Sequence, residues 1–263
     1  DILQSTETPP PVKKEDPYLG KTIDGRYLIE AVLGEGGMGT VYRARSTLVD
    51  EPVAMKILHK HLAHDETLRE RFRREARAAA AIAHENVVEI KDFGVTEDES
   101  VFIAMELLDG ETLRQAMDRG PMSAKLVVDL GAQMARGIAR AHDLGIVHRD
   151  LKPENVFVVP RGGRLVAKIV DFGIARSRDE SHLTMQGAVI GTPQYLAPER
   201  VKLNETPPSA DLYSLGVMLF EMLAGRLPFL SDDLPGYILA HLETPAPRVS
   251  SLVPTVPPAL DDV

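Results

Sequence analysis

The chain has 263 residues, with 30 Lys and Arg against 39 Asp and Glu, a net charge of −9, 44% hydrophobic and 26% charged residues. Those proportions exclude a collagen-like or wholly disordered chain and suit one or two globular domains. The acidic balance argues against a general nucleic-acid or anionic-membrane binder. The absence of Cys removes disulfides, thiolate metal sites and a cysteine nucleophile. No apolar run approaches the ~18 residues of a membrane span, and no signal-like stretch follows Asp1. A soluble intracellular piece of a longer chain is expected.

Residues 1–22 read as a disordered tail, because Thr6-Glu7-Thr8-Pro9-Pro10-Pro11 and the charges after it have almost nothing to bury. From Arg26 to Met105 the pattern predicts short strands at Arg26–Leu33, Thr40–Arg45, Pro52–Leu58, Val87–Gly94 and Ser100–Glu106. One helix, from about Asp65 to His84, interrupts them. Beyond Gly110 the chain turns helical, at Ser123–His142 and Ala210–Ala224, with short strand runs at Val156–Val159 and Val166–Val170 between. Two lobes are expected, residues 23–106 and 107–263, joined near Met105–Gly110.

Gly34-Glu35-Gly36-Gly37-Met38-Gly39 matches G-x-G-x-x-G, a weak signal alone. A dinucleotide fold needs the glycines to open a helix, but Thr40-Val41-Tyr42 favours a strand. A Walker loop needs Gly-Lys-Ser/Thr, which is missing. The remaining readings are an ordinary glycine hairpin and a hairpin whose tip covers nucleotide phosphates.

Lys56 lies in Val53-Ala54-Met55-Lys56-Ile57-Leu58, apolar on both faces, so it asks for a counter-charge. Glu75 falls within the apolar stripe Leu68, Phe72, Ala79, Ile82, and pairing of Lys56 with Glu75 is the simplest solution. Further on, His148-Arg149-Asp150-Leu151-Lys152-Pro153-Glu154-Asn155 and Asp171-Phe172-Gly173 supply two acids and an amide beside short apolar strands, as a hard cation requires. His59, His61 and His64 lack a ligand set and read as a solvated connector. The arginines from Arg69 to Arg77 alternate with acids, as on an exposed helix face.

With these motifs in order, together with Ala197-Pro198-Glu199 and Asp211-Leu212-Tyr213-Ser214, the chain resembles the eukaryotic-like (Hanks-type) Ser/Thr protein kinases of the bacterial kind. The resemblance runs from Arg26 to the end. It implies an α+β, two-lobed kinase fold: an N-lobe antiparallel sheet plus one helix, and a mostly helical C-lobe that stops incomplete at Val263. It implies a non-specific Ser/Thr protein kinase that uses ATP and Mg²⁺, with Mn²⁺ as a substitute.

By the same resemblance, Asp150, Lys152, Asn155 and Asp171 are the catalytic set, and Asn155 and Asp171 hold the metal. ATP is bound by Leu33, Gly34, Glu35, Gly36, Gly37, Gly39, Val41, Ala54, Lys56, Glu75, Met105, Glu106, Leu108 and Phe157. Activation falls to Thr184, with Thr192 on the substrate side and Arg149 and Arg176 gripping a phosphate. The partners implied are protein substrates and a homodimer for trans-autophosphorylation, without nucleic acid. The location implied is cytoplasmic, including the cytoplasmic part of a membrane-anchored kinase. A catalytically silent nucleotide-binding scaffold is the rival reading.

Overall fold

The computed structural model describes residues 16–60, 66–172, 193–202 and 206–262, leaving aside the side chains at 66–68, 71, 75, 201 and 202. Among them, six strands form the first lobe: β1 (Thr22–Ile23), β2 (Tyr27–Gly36), β3 (Gly39–Ser46), β4 (Pro52–Leu58), β5 (Ile90–Val95) and β6 (Val101–Glu106). They make one antiparallel sheet in the order β1-β2-β3-β4-β6-β5. Period-two alternation decides which side each residue takes. Tyr27 and Ile29 of β2 are buried while Leu28 and Glu30 are exposed. Strand β4 is covered on both faces. Its Val53, Met55 and Ile57 join Tyr27, Tyr42 and Phe102, whereas Ala54 and Leu58 join Ile103, Met105 and the helix residues Phe72 and Ala76. Those last two belong to α1 (Glu66–Ala80), the helix expected from sequence.

The tail expected through residue 22 gives way to ordered structure from Asp16. The Asp16 carboxylate accepts the N–H of Tyr18 at 2.9 Å and the hydroxyl of Tyr42 at 2.9 Å. Tyr18 is buried edge-on against Tyr42, with ring centroids 5.9 Å apart, and its hydroxyl donates to Asp98 at 3.1 Å. One large aromatic anchors a segment whose average composition reads as unstructured.

The second lobe begins with β7 (Glu111–Thr112), which pairs with β8 (Val156–Arg161), itself paired with β9 (Arg164–Ile169). Its helices are α2 (Leu113–Met117), α3 (Ala124–Asp143), α4 (Pro198–Lys202), α5 (Ser209–Ala224), α6 (Leu234–Glu243) and α7 (Val249–Leu252). Thr112 and Gln115 form a capping box on α2, and Ser123 caps α3. Gly225 closes α5 at φ 68°, a left-handed conformation that glycine adopts without strain. The core runs through Leu130, Met134 and Ile138 of α3, Ile169 of β9, and Met218 and Met222 of α5. The last described segment is a 3₁₀ turn over Pro258–Asp262. Among the described residues no helix is long and apolar enough to cross a membrane.

Candidate active site

Register decides where Lys56 meets the cleft: it stands between Val41 on β3 and Ile103 on β6. Its Nζ donates to Asp171 Oδ1 at 2.8 Å. A counter-charge for this ammonium in an apolar strand is supplied by Asp171, 115 residues along the chain. The side chain of Glu75, the partner expected from sequence, lies outside the described residues; the α1 backbone carries the residue.

Asp171 has φ 58°, an uncommon conformation for a residue with a side chain. Its neighbours hold it there. Phe172 is buried in the second lobe's core and stacks obliquely on His148 at 4.8 Å, burial worth roughly 1.5–3 kcal/mol for such a ring. The Val170 N–H donates to the Asn155 carbonyl at 2.9 Å, and the Val170 carbonyl accepts from His148 Nε2 at 3.0 Å.

The loop from His148 to Asn155 is organised from beneath by Asp211 on α5. That carboxylate accepts the N–H of His148 at 2.8 Å, the N–H of Arg149 at 2.9 Å, and His142 Nε2 at 2.8 Å. Burial pushes the Asp211 carboxyl up, yet the bonds from His142, His148 and Arg149 outweigh it and hold the group below the usual carboxylate range. Arg149 takes φ 67°, a second left-handed residue, in the turn that these bonds fix. One His148 tautomer, protonated at Nε2, both donates to Val170 and accepts the Asp150 N–H at 3.3 Å on Nδ1.

At the mouth of this loop Asp150 Oδ2 lies 3.2 Å from Lys152 Nζ. Asn155 donates its amide NH₂ to the Asp150 carbonyl at 2.8 Å, so its Oδ1 faces elsewhere. Asp171 keeps 37% of its side chain exposed. An amide oxygen and a partly open carboxylate are hard donors of the kind Mg²⁺ takes alongside phosphate oxygens and water. Among the described residues no three His, Cys, Asp or Glu side chains form a metal cluster. A site completed by substrate phosphates does not need one.

The remaining sequence-predicted residues that the structure describes lie on β2, β3, β4, β6 and β8 and the segments beside them. Leu33, Gly34, Glu35 and Gly36 end β2, Gly37 is in the turn, and Gly39 and Val41 begin β3. Gly39 has no alternative, since a Cβ there would stand 2.2 Å from the Ile57 carbonyl oxygen. Val41, Leu108 and Val170 pack against the cluster holding Ala54 and Met105. Phe157 pairs with Thr112 across β7 and β8. Thr184, Thr192 and Arg176 lie outside the described residues. Arg149 is described, and its carbonyl accepts Arg200 Nη1 at 2.7 Å.

Two groups escaped the sequence reading. Lys168, 5% exposed, reaches the Glu106 carboxylate and the Val87 carbonyl, and ties the connection between the lobes to β9. Burial pushes Glu106 up, but Lys168 and the Glu89 N–H bring its carboxyl below the ordinary value. Arg114 of α2 holds Glu221 of α5 at 3.0 Å and Glu154 of the loop at 3.2 Å, while the Tyr195 hydroxyl donates to Glu221. A charge inside an apolar run exposed Lys56. The same signal was present in Val166-Ala167-Lys168-Ile169 and in Leu219-Phe220-Glu221-Met222.

The geometry is thus a glycine hairpin, a strand lysine paired with a partly exposed acid, and an acid, a cation and an amide on a fixed loop. Comparison with known proteins agrees with it. Residues 27–244 match the protein kinase domain family. The chain is 43% identical to the serine/threonine-protein kinase pkn3 of Myxococcus xanthus over 88% of its length and 44% of that protein's. It is 38% identical to PknL of Mycobacterium tuberculosis over 94% of its length and 61% of PknL's. The crystal structure of the M. tuberculosis PknI kinase domain superposes with a TM-score of 0.68 at 28% identity, over 89% of this chain and 84% of that one. The chain belongs to the protein kinase domain family, as a Hanks-type serine/threonine kinase domain of the bacterial kind. Use of ATP and a divalent metal ion goes with that family. The chain spans about half the length of the curated relatives it matches.

Proposed function

We propose that this domain moves the γ-phosphoryl group of ATP onto Ser or Thr hydroxyls of proteins, with Asp150 as the base. The observation that carries the reading is the Lys56–Asp171 contact of 2.8 Å, beside a loop that presents Asp150, Lys152 and Asn155 together. The bond from the γ-phosphorus to the bridging oxygen breaks, ADP leaves, a new P–O bond forms to the substrate oxygen, and the hydroxyl proton passes to Asp150. Lys152 sets positive charge against the phosphoryl group, and Lys56 against the α- and β-phosphates. Gly34, Gly36 and Gly39 let the hairpin backbone come close to the phosphates. Adenine fits between Val41 and Ala54 on one side and Phe157 on the other, against the backbone of Glu106 to Leu108, with Met105 behind. Asp171 and Asn155 would hold Mg²⁺, which neutralises phosphate charge when bound; Mn²⁺ suits the same oxygens. A domain that draws on ATP is proposed to work in the cytoplasm, including as the cytoplasmic part of a membrane-anchored chain.

Lys56→Met tests the reading. Phosphorylation of a generic protein substrate with Mg²⁺-ATP will fall by ~10² to 10³ or more, while the melting temperature changes little because Asp171 stays hydrated. A loss of less than about tenfold would count against the role of Lys56. A silent scaffold would bind ATP without turnover in the wild type, and no catalytic side chain of the set is of the wrong type.

Thr184 is proposed as the residue autophosphorylated in the activation segment, between two copies of the domain, with Arg149 and Arg176 receiving the phosphate. A phosphothreonine adds about −1.5 to −2 charge and makes one to three charge-assisted hydrogen bonds. Intact mass after incubation with ATP will show phosphate that Thr184→Ala lacks, with lower activity in the variant. Full activity of that variant, with no phosphate on the wild type, would sink the switch alone.

A further inference from the structure

The glycine hairpin is closed by backbone pairing of Gly36 with Gly39 and Glu35 with Thr40, but few side chains support its tip. Residues 32–37 are exposed, and its tip, Gly36-Gly37-Met38-Gly39, carries one side chain in four residues. In such a tip a peptide plane can rotate at low cost, because glycine meets few steric limits. Rotation matters chemically. In a trans peptide the C=O and the following N–H point in opposite directions, so a flip would offer phosphate oxygens a carbonyl in place of an amide.

His59, directly after β4, meets this tip twice. Its backbone N–H donates to the Met38 carbonyl at 3.0 Å, and its imidazole Nε2 lies 2.9 Å from the Gly36 carbonyl. The acceptor is a carbonyl, so the bond places the imidazole proton on Nε2. The peptide units Gly36–Gly37 and Met38–Gly39 are therefore both held by one residue in addition to the strand pairing. With the Gly36 carbonyl drawn to His59, the N–H of Gly37 is turned away from it, while Gly39 pairs back onto Gly36. Among the described residues, no other side chain is hydrogen-bonded to the carbonyls of this tip.

We propose that His59 is a positioning residue for nucleotide binding: its Nε2–H holds the Gly36–Gly37 peptide in the orientation that leaves the Gly37 amide for a phosphate oxygen of ATP. This rests on the reading of the hairpin as the phosphate cover. The imidazole touches neither nucleotide nor substrate, and acts through the backbone it restrains. The role is tied to a donor at one place, not to a histidine as such. Gln carries an amide nitrogen at a similar reach from the backbone and can replace it, whereas Leu has the bulk without the donor.

The test uses the whole chain, a fluorescent ATP analogue with Mg²⁺, and three proteins: wild type, His59→Leu and His59→Gln. One net hydrogen bond corresponds to about a three- to tenfold change in an equilibrium. His59→Leu will weaken analogue binding and raise the KM for ATP by about that factor, with the KM for a peptide substrate and the melting temperature unchanged. His59→Gln will restore both nucleotide values. Wild-type affinity in His59→Leu would overturn the proposal. So would equal loss in the Leu and Gln variants, or a rise in the peptide KM matching that for ATP. A wild-type chain that binds no analogue would overturn the nucleotide reading itself, and this proposal with it. Lys56→Met, assayed alongside, keeps the two failures apart.

Discussion

Asp150→Asn will lower kcat for protein phosphorylation by ~10² to 10⁴, the usual contribution of a positioned base, while nucleotide binding stays within about a factor of two to three. The substitution keeps size and shape and removes the negative charge and the capacity to take a proton. The surroundings argue that the fold will not notice. Asp150 is held through its backbone, by its N–H on His148 Nδ1 and its carbonyl under the Asn155 amide. Neither bond involves the carboxylate. The carboxylate lies 3.2 Å from Lys152 at a half-buried site, and the altered charge there is easily hydrated. Single-turnover kinetics with radiolabelled ATP would read the effect directly. A variant that keeps more than about a tenth of wild-type kcat would remove Asp150 from the role of base.

Asp211→Ala will damage stability and activity together. Asp211 is 2% exposed and accepts from two backbone amides and one imidazole. Alanine leaves one buried and two partly buried donors without this acceptor, at a cost of about 1–3 kcal/mol each where water cannot enter. A loss of about 3 kcal/mol or more lowers the melting temperature by roughly 6–12 °C in a domain of this size. The released turn would also free Arg149 from its left-handed conformation and shift Asp150 beside it. The pH dependence follows from the depressed Asp211 carboxyl. A carboxyl more acidic in the folded state adds stability above its unfolded value, near 3.9, and that stability disappears as pH falls through the folded value. The difference between wild type and Asp211→Ala will thus be full at neutral pH and will narrow below about pH 4. A melting-temperature change under about 2 °C at pH 7 would show that the carboxylate is not what holds the turn.

Much of this site could be read from residue order because its chemistry sits in short segments. Asp150, Lys152 and Asn155 lie within six residues, and the alternation in β2 with the continuous apolar run of β4 located the sheet around Lys56. The contact of Lys56 with Asp171 could not be read in the same way. A charge inside an apolar strand demands a partner but does not name one, and two acids were available to Lys56, Glu75 and Asp171. Helix α1 was legible from its period, though it ends at Ala80, earlier than the apolar pattern through Ile82 suggested. Ile82 is buried all the same, on the turn that follows. The order from Asp16 onward was missed because composition averages over a window, while Tyr18 and Asp16 act as single anchors. His59 was set aside for want of ligand spacing, a criterion blind to a side chain whose partner is a main-chain carbonyl.

Val170 shows how far such main-chain contacts reach. Its amide joins it to Asn155 and its carbonyl to His148, so the two segments that carry Asn155 and Asp171 are sewn together by atoms that every residue except proline possesses. The side chain at this position contributes only apolar contact with the cluster around Ala54 and Met105. The separation of Asn155 from Asp171 is therefore stored in a form that is nearly independent of the letter at position 170. Sequences can drift there among apolar residues while the spacing of the two oxygen donors stays as it is. Proline, which has no N–H to give Asn155, is the one apolar choice that breaks the seam.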